Sequence, residues 1–93
     1  MILYGGTRSP FVRRIEIWLH LQGHDFETKR ISPMGDEYAA LKEINPVGRV
    51  PALSIGDGEN LIETSAIIDH LEETAPADKR LIPASGVDRR RCL

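Results

Sequence analysis

An α/β fold, a four-stranded mixed sheet flanked by helices, is the architecture that this sequence predicts, and three observations predict it. Apolar residues recur alternately at strand and at helix spacing, in the order βαβαββα. The first two strands enclose a helix, and such a unit makes a parallel pair joined by a right-handed crossover. The last two strands are separated only by Gly56-Asp57-Gly58, a turn that forces antiparallel pairing. A sheet with both kinds of pairing is mixed.

Each element has its own signal. Ile2 to Tyr4 is a short apolar strand ended by Gly5-Gly6. Ser9 is a strong N-cap type and Pro10 suits a first helical position, so a helix is expected from Pro10 to Gln22, with Phe11, Ile15, Trp18 and Leu19 at helical spacing and Gly23 as its stop. Phe26 to Ile31 alternates as a half-buried strand does, and Ser32-Pro33-Met34-Gly35 breaks it. Glu37 to Ile44 places Tyr38, Leu41 and Ile44 on one helical face and ends at Asn45-Pro46. Ala52–Ile55 and Asn60–Ile62 form the hairpin. Thr64 or Ser65 is expected to cap the last helix, whose buried face is Ile67, Ile68 and Leu71 and which ends before Pro76. Together these elements make a thioredoxin-like arrangement.

Composition bounds the function. A chain of 93 residues is one small domain, able to bury roughly 60–65% of the surface its unfolded form exposes. No apolar run approaches a membrane span. A formal charge of −2 argues against a nucleic-acid footprint, and Arg89-Arg90-Arg91 reads as a solvated helix face. There is no signal-peptide apolar region, and Cys92 is the only cysteine, so no internal disulfide forms and a cytoplasmic address is the expectation. His20, His24 and His70 lack partners at ligand spacing, and no metal site is expected.

The most structured stretch is Asn45-Pro-Val-Gly-Arg-Val-Pro-Ala-Leu53. Pro46 and Gly48 make a turn, and Pro51 opens a strand, a sheet position that tolerates a missing N–H. Val50 is therefore extended. With Val50-Pro51 cis, the N–H and C=O of Val50 would face solvent and offer an edge to an extended peptide. Only ~5% of X-Pro bonds in folded proteins are cis, so the stretch alone favours a trans proline.

Three patterns coincide with this element order: Ser9-Pro10-Phe11 opening the first helix, Asn45 to Leu53 before the third strand, and Glu63-Thr64-Ser65-Ala66-Ile67 between the last strand and helix. Together they resemble the N-terminal, glutathione-binding domain of the cytosolic glutathione S-transferases, over about Met1 to Pro83. The resemblance implies a cis Pro51, with Val50 pairing its backbone with the cysteinyl part of glutathione as a very short added strand. It places Glu63 on the amino group and Thr64 on the α-carboxylate of the γ-glutamyl end, where a helix N-terminus suits an anion. Relatives often carry serine where this chain has Thr64, but the hydroxyl is kept. Arg49 is implied near the glycyl carboxylate, although a solvated arginine is equally natural there. Arg14 is given a structural role.

Ser9 occupies the place where serine-type members keep the hydroxyl that activates the glutathione sulfur. The thiolate is the nucleophile, and a hydrogen bond to it raises its population at neutral pH. The competing role is a plain N-cap, and one hydroxyl filling both implies a rotamer choice. Thr7 and Tyr4 are weaker alternatives. The absence of a Cys-x-x-Cys motif disfavours glutaredoxin-like exchange.

By the same resemblance, residues 1–78 are the glutathione-binding domain. Residues 79–93 are an interdomain linker and the start of an all-helical C-terminal domain that supplies the electrophile pocket and most of a homodimer interface. The function implied is conjugation of glutathione, as co-substrate, to an electrophilic small molecule. The alternative is a non-catalytic glutathione-binding or protein-interaction module, and the retention of Ser9, Glu63 and Thr64 favours the enzyme. With the helical domain missing, Trp18, Leu19, Ile68 or Leu71 is expected to be partly uncovered, an apolar patch that promotes self-association.

Overall fold

The computed structural model describes residues 1–93. Four strands, β1 (Ile2–Tyr4), β2 (Glu27–Lys29), β3 (Ala52–Gly56) and β4 (Glu59–Ile62), form one sheet in the order β2-β1-β3-β4. β1 runs parallel to β2 and antiparallel to β3, and β3 is antiparallel to β4. The helices are α1 (Pro10–Leu21), α2 (Tyr38–Ile44), α3 (Thr64–Thr74) and α4 (Gly86–Cys92). The expected mixed sheet and element order are therefore present.

The core forms where α1 and α3 pack together against the sheet. Val12, Ile15 and Leu19 repeat at helical spacing on α1, and Ile67, Ile68 and Leu71 do so on α3. They close around Leu3 and Leu53, the inward residues of the two central strands, which pair directly across the ladder. Trp18, Phe26, Val50, Ile55, Leu61 and Ile82 pack half-buried around this cluster.

Several local expectations differ. α1 stops at Leu21, and its end is closed by the Gln22 N–H donating to the Trp18 carbonyl at 3.0 Å and the Gly23 N–H donating to the His20 carbonyl at 3.1 Å. Phe11 points away from the core, 59% exposed, because the buried stripe runs through Val12. The second strand is only Glu27–Lys29, all exposed: as an edge strand it pairs on one side, and Phe26 just before it supplies the inward contact. A 3₁₀ turn at Gly35–Glu37 precedes α2, which starts at Tyr38 rather than Glu37. The hairpin strands extend to Gly56 and from Glu59, leaving Asp57-Gly58 as a two-residue turn with positive φ at both positions (54° and 76°), the backbone that right-twisted strands favour. Neither Thr64 nor Ser65 caps α3: Thr64 is its first residue, and Glu63 holds the cap position without a side-chain hydrogen bond. The apolar patch is also absent from the expected place. Leu19, Ile68 and Leu71 are buried in the α1–α3 contact and Trp18 is half-buried, so these residues give no basis for self-association.

Gly5 shows how tightly the elements converge. β1 ends there at φ +131°, and a Cβ on Gly5 would lie 2.5 Å from a Val12 methyl on α1 and 3.0 Å from the Val50 Cβ. Gly5→Ala should therefore destabilise the fold by about 2–4 kcal/mol, from overpacking and backbone strain together. Urea denaturation measures this. A loss below about 0.5 kcal/mol, the size of an ordinary surface change, would show that β1, α1 and the segment before β3 part freely.

Candidate functional site

The site is built on the loop between α2 and β3. Asn45, 2% exposed, organises it. Its side-chain carbonyl accepts the Val47 N–H at 2.9 Å, its amide nitrogen donates to the Arg49 carbonyl at 2.9 Å, and the Gly48 N–H closes a turn onto the Asn45 carbonyl at 2.8 Å. One side chain thus does the work of a backbone turn. It holds Arg49 and Val50 at the end of a rigid loop. The Val50-Pro51 bond is cis, as the family resemblance implies. The N–H and C=O of Val50 pair with no other backbone group of the chain, so an extended ligand can meet them without breaking a ladder bond.

Opposite Val50 stands the N-terminus of α3. Its first helical bond runs from the Ile67 N–H to the Glu63 carbonyl at 3.0 Å, which leaves the N–H groups of Thr64, Ser65 and Ala66 without helical partners. Such a helix end is a ready acceptor of negative charge. Glu63, just outside, has φ 70° and ψ 124°, a combination that non-glycine residues adopt only under strain. The carboxylate is exposed beside the helix end.

These groups share one cleft of about 310 Å³, lined by Phe11, Arg14, Arg49, Val50, Pro51, Glu63, Thr64 and Ser65, within the usual range of small-molecule sites. Five of the six residues singled out from sequence, Arg49, Val50, Pro51, Glu63 and Thr64, come together here. Ser9 is not on the wall of this cleft. It caps α1, its Oγ accepting the Val12 N–H at 3.3 Å. That bond uses a lone pair and leaves the hydroxyl proton free to donate, so capping and thiolate stabilisation do not compete as the sequence reading supposed.

Phe11, Arg14 and Ser65 were not picked out as contacts. Its helical spacing with Ile15, Trp18 and Leu19 conceals that Phe11 lies one position off the buried stripe. Arg14 was given a structural role, yet it is exposed on the cleft wall. Ser65 was weighed only as a cap. A second and larger cleft, about 450 Å³, lies between α1, α3 and residues 80–93 and shares Arg14 and Ser65 with the first. No group of three or more His, Cys, Asp or Glu side chains is placed to hold a metal ion.

The glutathione S-transferase N-terminal domain family matches residues 3–79. The chain belongs to this family. It is 39% identical over 89 residues to a probable maleylacetoacetate isomerase of Caenorhabditis elegans, a match covering 95% of this chain and 41% of that protein. It is 40% identical over 80 residues to the maleylacetoacetate isomerase of Pseudomonas aeruginosa, covering 82% and 38%. The chain thus spans about two fifths of the length of the curated relatives it matches. Among solved structures, a maleyl pyruvate isomerase described as a bacterial zeta-class glutathione S-transferase superposes with a TM-score of 0.86 at 38% identity, over 98% of this chain and 43% of that one. A glutathione transferase family member from Pseudomonas fluorescens Pf-5 with bound glutathione gives 0.78 at 32% identity, over 97% and 45%. The fold is that of the thioredoxin-like domain of these transferases, and the family is one whose members bind glutathione.

The backbone at Glu63 separates strain from chemistry. Glu63→Gly, which adopts φ 70° freely, should raise stability by about 1 kcal/mol, whereas Glu63→Ala, which keeps a Cβ there, should not. Chemical denaturation of the two variants checks this, and equal stabilities would show that the conformation carries no strain.

Proposed function

We propose that the chain binds glutathione in the 310 Å³ cleft and that Ser9 stabilises its thiolate. The observation that carries the reading is the juxtaposition of the unpaired Val50 backbone with the open N-terminus of α3. A tripeptide with a charged end needs both. Its cysteinyl backbone pairs with Val50 as a one-residue added strand. Its γ-glutamyl α-carboxylate sits at the N–H groups of Thr64 and Ser65, with the Arg14 guanidinium adding positive charge, and Glu63 takes the amino group. Arg49, on the same cleft wall, takes the glycyl carboxylate. Ser9 lies off the cleft wall but only two residues before Phe11, which is on it, and its free hydroxyl proton donates to the sulfur where the tripeptide extends past that wall.

The thiolate so formed is a nucleophile for an electrophilic small molecule. Conjugation is one outcome. The names of the curated relatives favour a second, isomerisation of a maleyl compound, which starts from the same activated thiol. In the whole protein, residues 1–78 act as the glutathione-binding domain and 79–93 lead into a helical part that completes the electrophile pocket and a homodimer interface, in the cytoplasm. No helix of the chain is long and apolar enough to cross a membrane.

Ser9→Ala and Glu63→Ala separate activation from binding. Losing one hydrogen bond to a charged sulfur costs ~1.5–3 kcal/mol, so Ser9→Ala should raise the pKa of bound glutathione by roughly one to two units while glutathione still binds. Glu63→Ala should weaken binding and leave the pKa of the thiol that does bind unchanged. Thiolate absorbance against pH reads the first effect and calorimetric titration the second. An unchanged thiol pKa in Ser9→Ala makes Ser9 a helix cap only. A parent chain that takes up no glutathione points to the non-catalytic interaction module instead.

A further inference from the structure

Glu72 lies on α3 about two turns, or 12 Å, beyond Thr64. Its half-buried carboxylate gathers four donor groups. Oε1 accepts the Trp18 indole N–H at 3.1 Å, the Gln22 side-chain amide at 2.9 Å and the Leu81 N–H at 2.9 Å, while Oε2 accepts the Leu81 N–H at 3.1 Å and the Ile82 N–H at 3.0 Å. All four donors are neutral, so any charge assistance in these bonds comes from the carboxylate alone.

Three pieces of the fold meet at this group. Trp18 and Gln22 belong to the last turn and the cap of α1, and Gln22 is only 7% exposed. Glu72 belongs to α3. Leu81 and Ile82 lie in an irregular stretch, so their N–H groups have no ladder to join, yet Ile82 packs against the core. Without the carboxylate those two N–H groups would lose their acceptor at a partly dehydrated surface. The Gln22 amide also reaches the Lys79 carbonyl at 3.4 Å, a second tie from α1 to the same stretch.

The two helices joined here also wall the candidate site. Phe11 and Arg14 stand on α1, and Thr64 and Ser65 on α3. Apolar packing between the helices sets their separation but is non-directional. Directional bonds to one carboxylate set how far one helix is slid along the other.

We infer that Glu72 is a latch: a single carboxylate that locks residues 81–82 and the end of α1 in register against α3, and so acts as a positioning residue for the cleft at the other end of those helices. The latch stands on its own geometry, and the positioning role rests on the glutathione reading above. Trp18 is the only tryptophan of the chain, so its indole N–H is a single, unambiguous reporter.

Hydrogen exchange followed by NMR tests the latch, with Glu72→Gln as the variant that keeps shape, removes one acceptor and turns an amide N–H₂ toward the donors. In the unmutated chain one release frees every donor, so the Trp18 indole and the Leu81 and Ile82 amides should show a common protection factor once each rate is divided by its intrinsic exchange rate. In Glu72→Gln all three should exchange at least roughly tenfold faster, while the Leu3 and Leu53 amides stay protected as a control for folding. Glutathione affinity, from calorimetric titration, should fall roughly five- to tenfold in the same variant. Clearly unequal protection factors in the unmutated chain, or unchanged exchange in the variant, overturn the latch. Faster exchange with unchanged affinity overturns the positioning role. Should Glu72→Gln not fold, Trp18→Phe keeps the carboxylate, removes one donor and should still accelerate Leu81 and Ile82, and no acceleration counts against the latch. If the unmutated chain takes up no glutathione, the functional reading and the positioning role fall together, while the exchange rates still decide the latch.

Discussion

The side-by-side packing of α1 and α3 on one face of the sheet is the constraint from which the rest follows. Val12, Ile15 and Leu19 mesh with Ile67, Ile68 and Leu71 over Leu3 and Leu53. The two helices run in the same sense, since Arg14 and Ser65 share a cleft near their starts and Trp18 and Glu72 are bonded further along. Their N-termini therefore lie toward the same end of the sheet. Helix dipoles that point the same way add, so that end carries positive potential from two sources before any arginine is counted. The loop stapled by Asn45 delivers the Val50 backbone to the same end. The architecture itself makes that end suited to negative charge.

How much of this was legible in sequence depended on whether the signal was local. Ser9-Pro10 and the stripe through Ile15 and Leu19 mark α1 because capping and periodicity act within a few residues. Asn45-Pro46-Val47-Gly48 marks its turn for the same reason. Gly56-Asp57-Gly58 marks the hairpin, but not that Asp57 and Gly58 alone make the turn, since strand pairing decided where the ladder ended. β2 was read too long because alternation assumes a buried side, and an edge strand beside only one partner need not have one.

The site divides along the same line. Val50, Pro51, Glu63 and Thr64 were singled out through the family resemblance, not through local geometry alone, and the fold brings them into one cleft. Phe11 and Arg14 were not, because membership of the cleft depends on which face α1 turns to the sheet, and a shift of one residue rotates a side chain by about 100°. Glu72 was invisible in sequence. Its partners Trp18, Gln22, Leu81 and Ile82 are assembled only when α1, α3 and the stretch after α3 are packed together, and nothing in a lone glutamate on a helix announces four donors.

The short edge strand has a consequence of another kind. β2 offers its free side as three exposed residues, Glu27, Thr28 and Lys29, with opposite charges at the two ends. A second chain laying a strand there would gain only a few ladder bonds before the pairing ran out, and it would have to dehydrate both charges to do so. The sheet therefore ends at β2 in an edge too short and too charged to template a long added ladder.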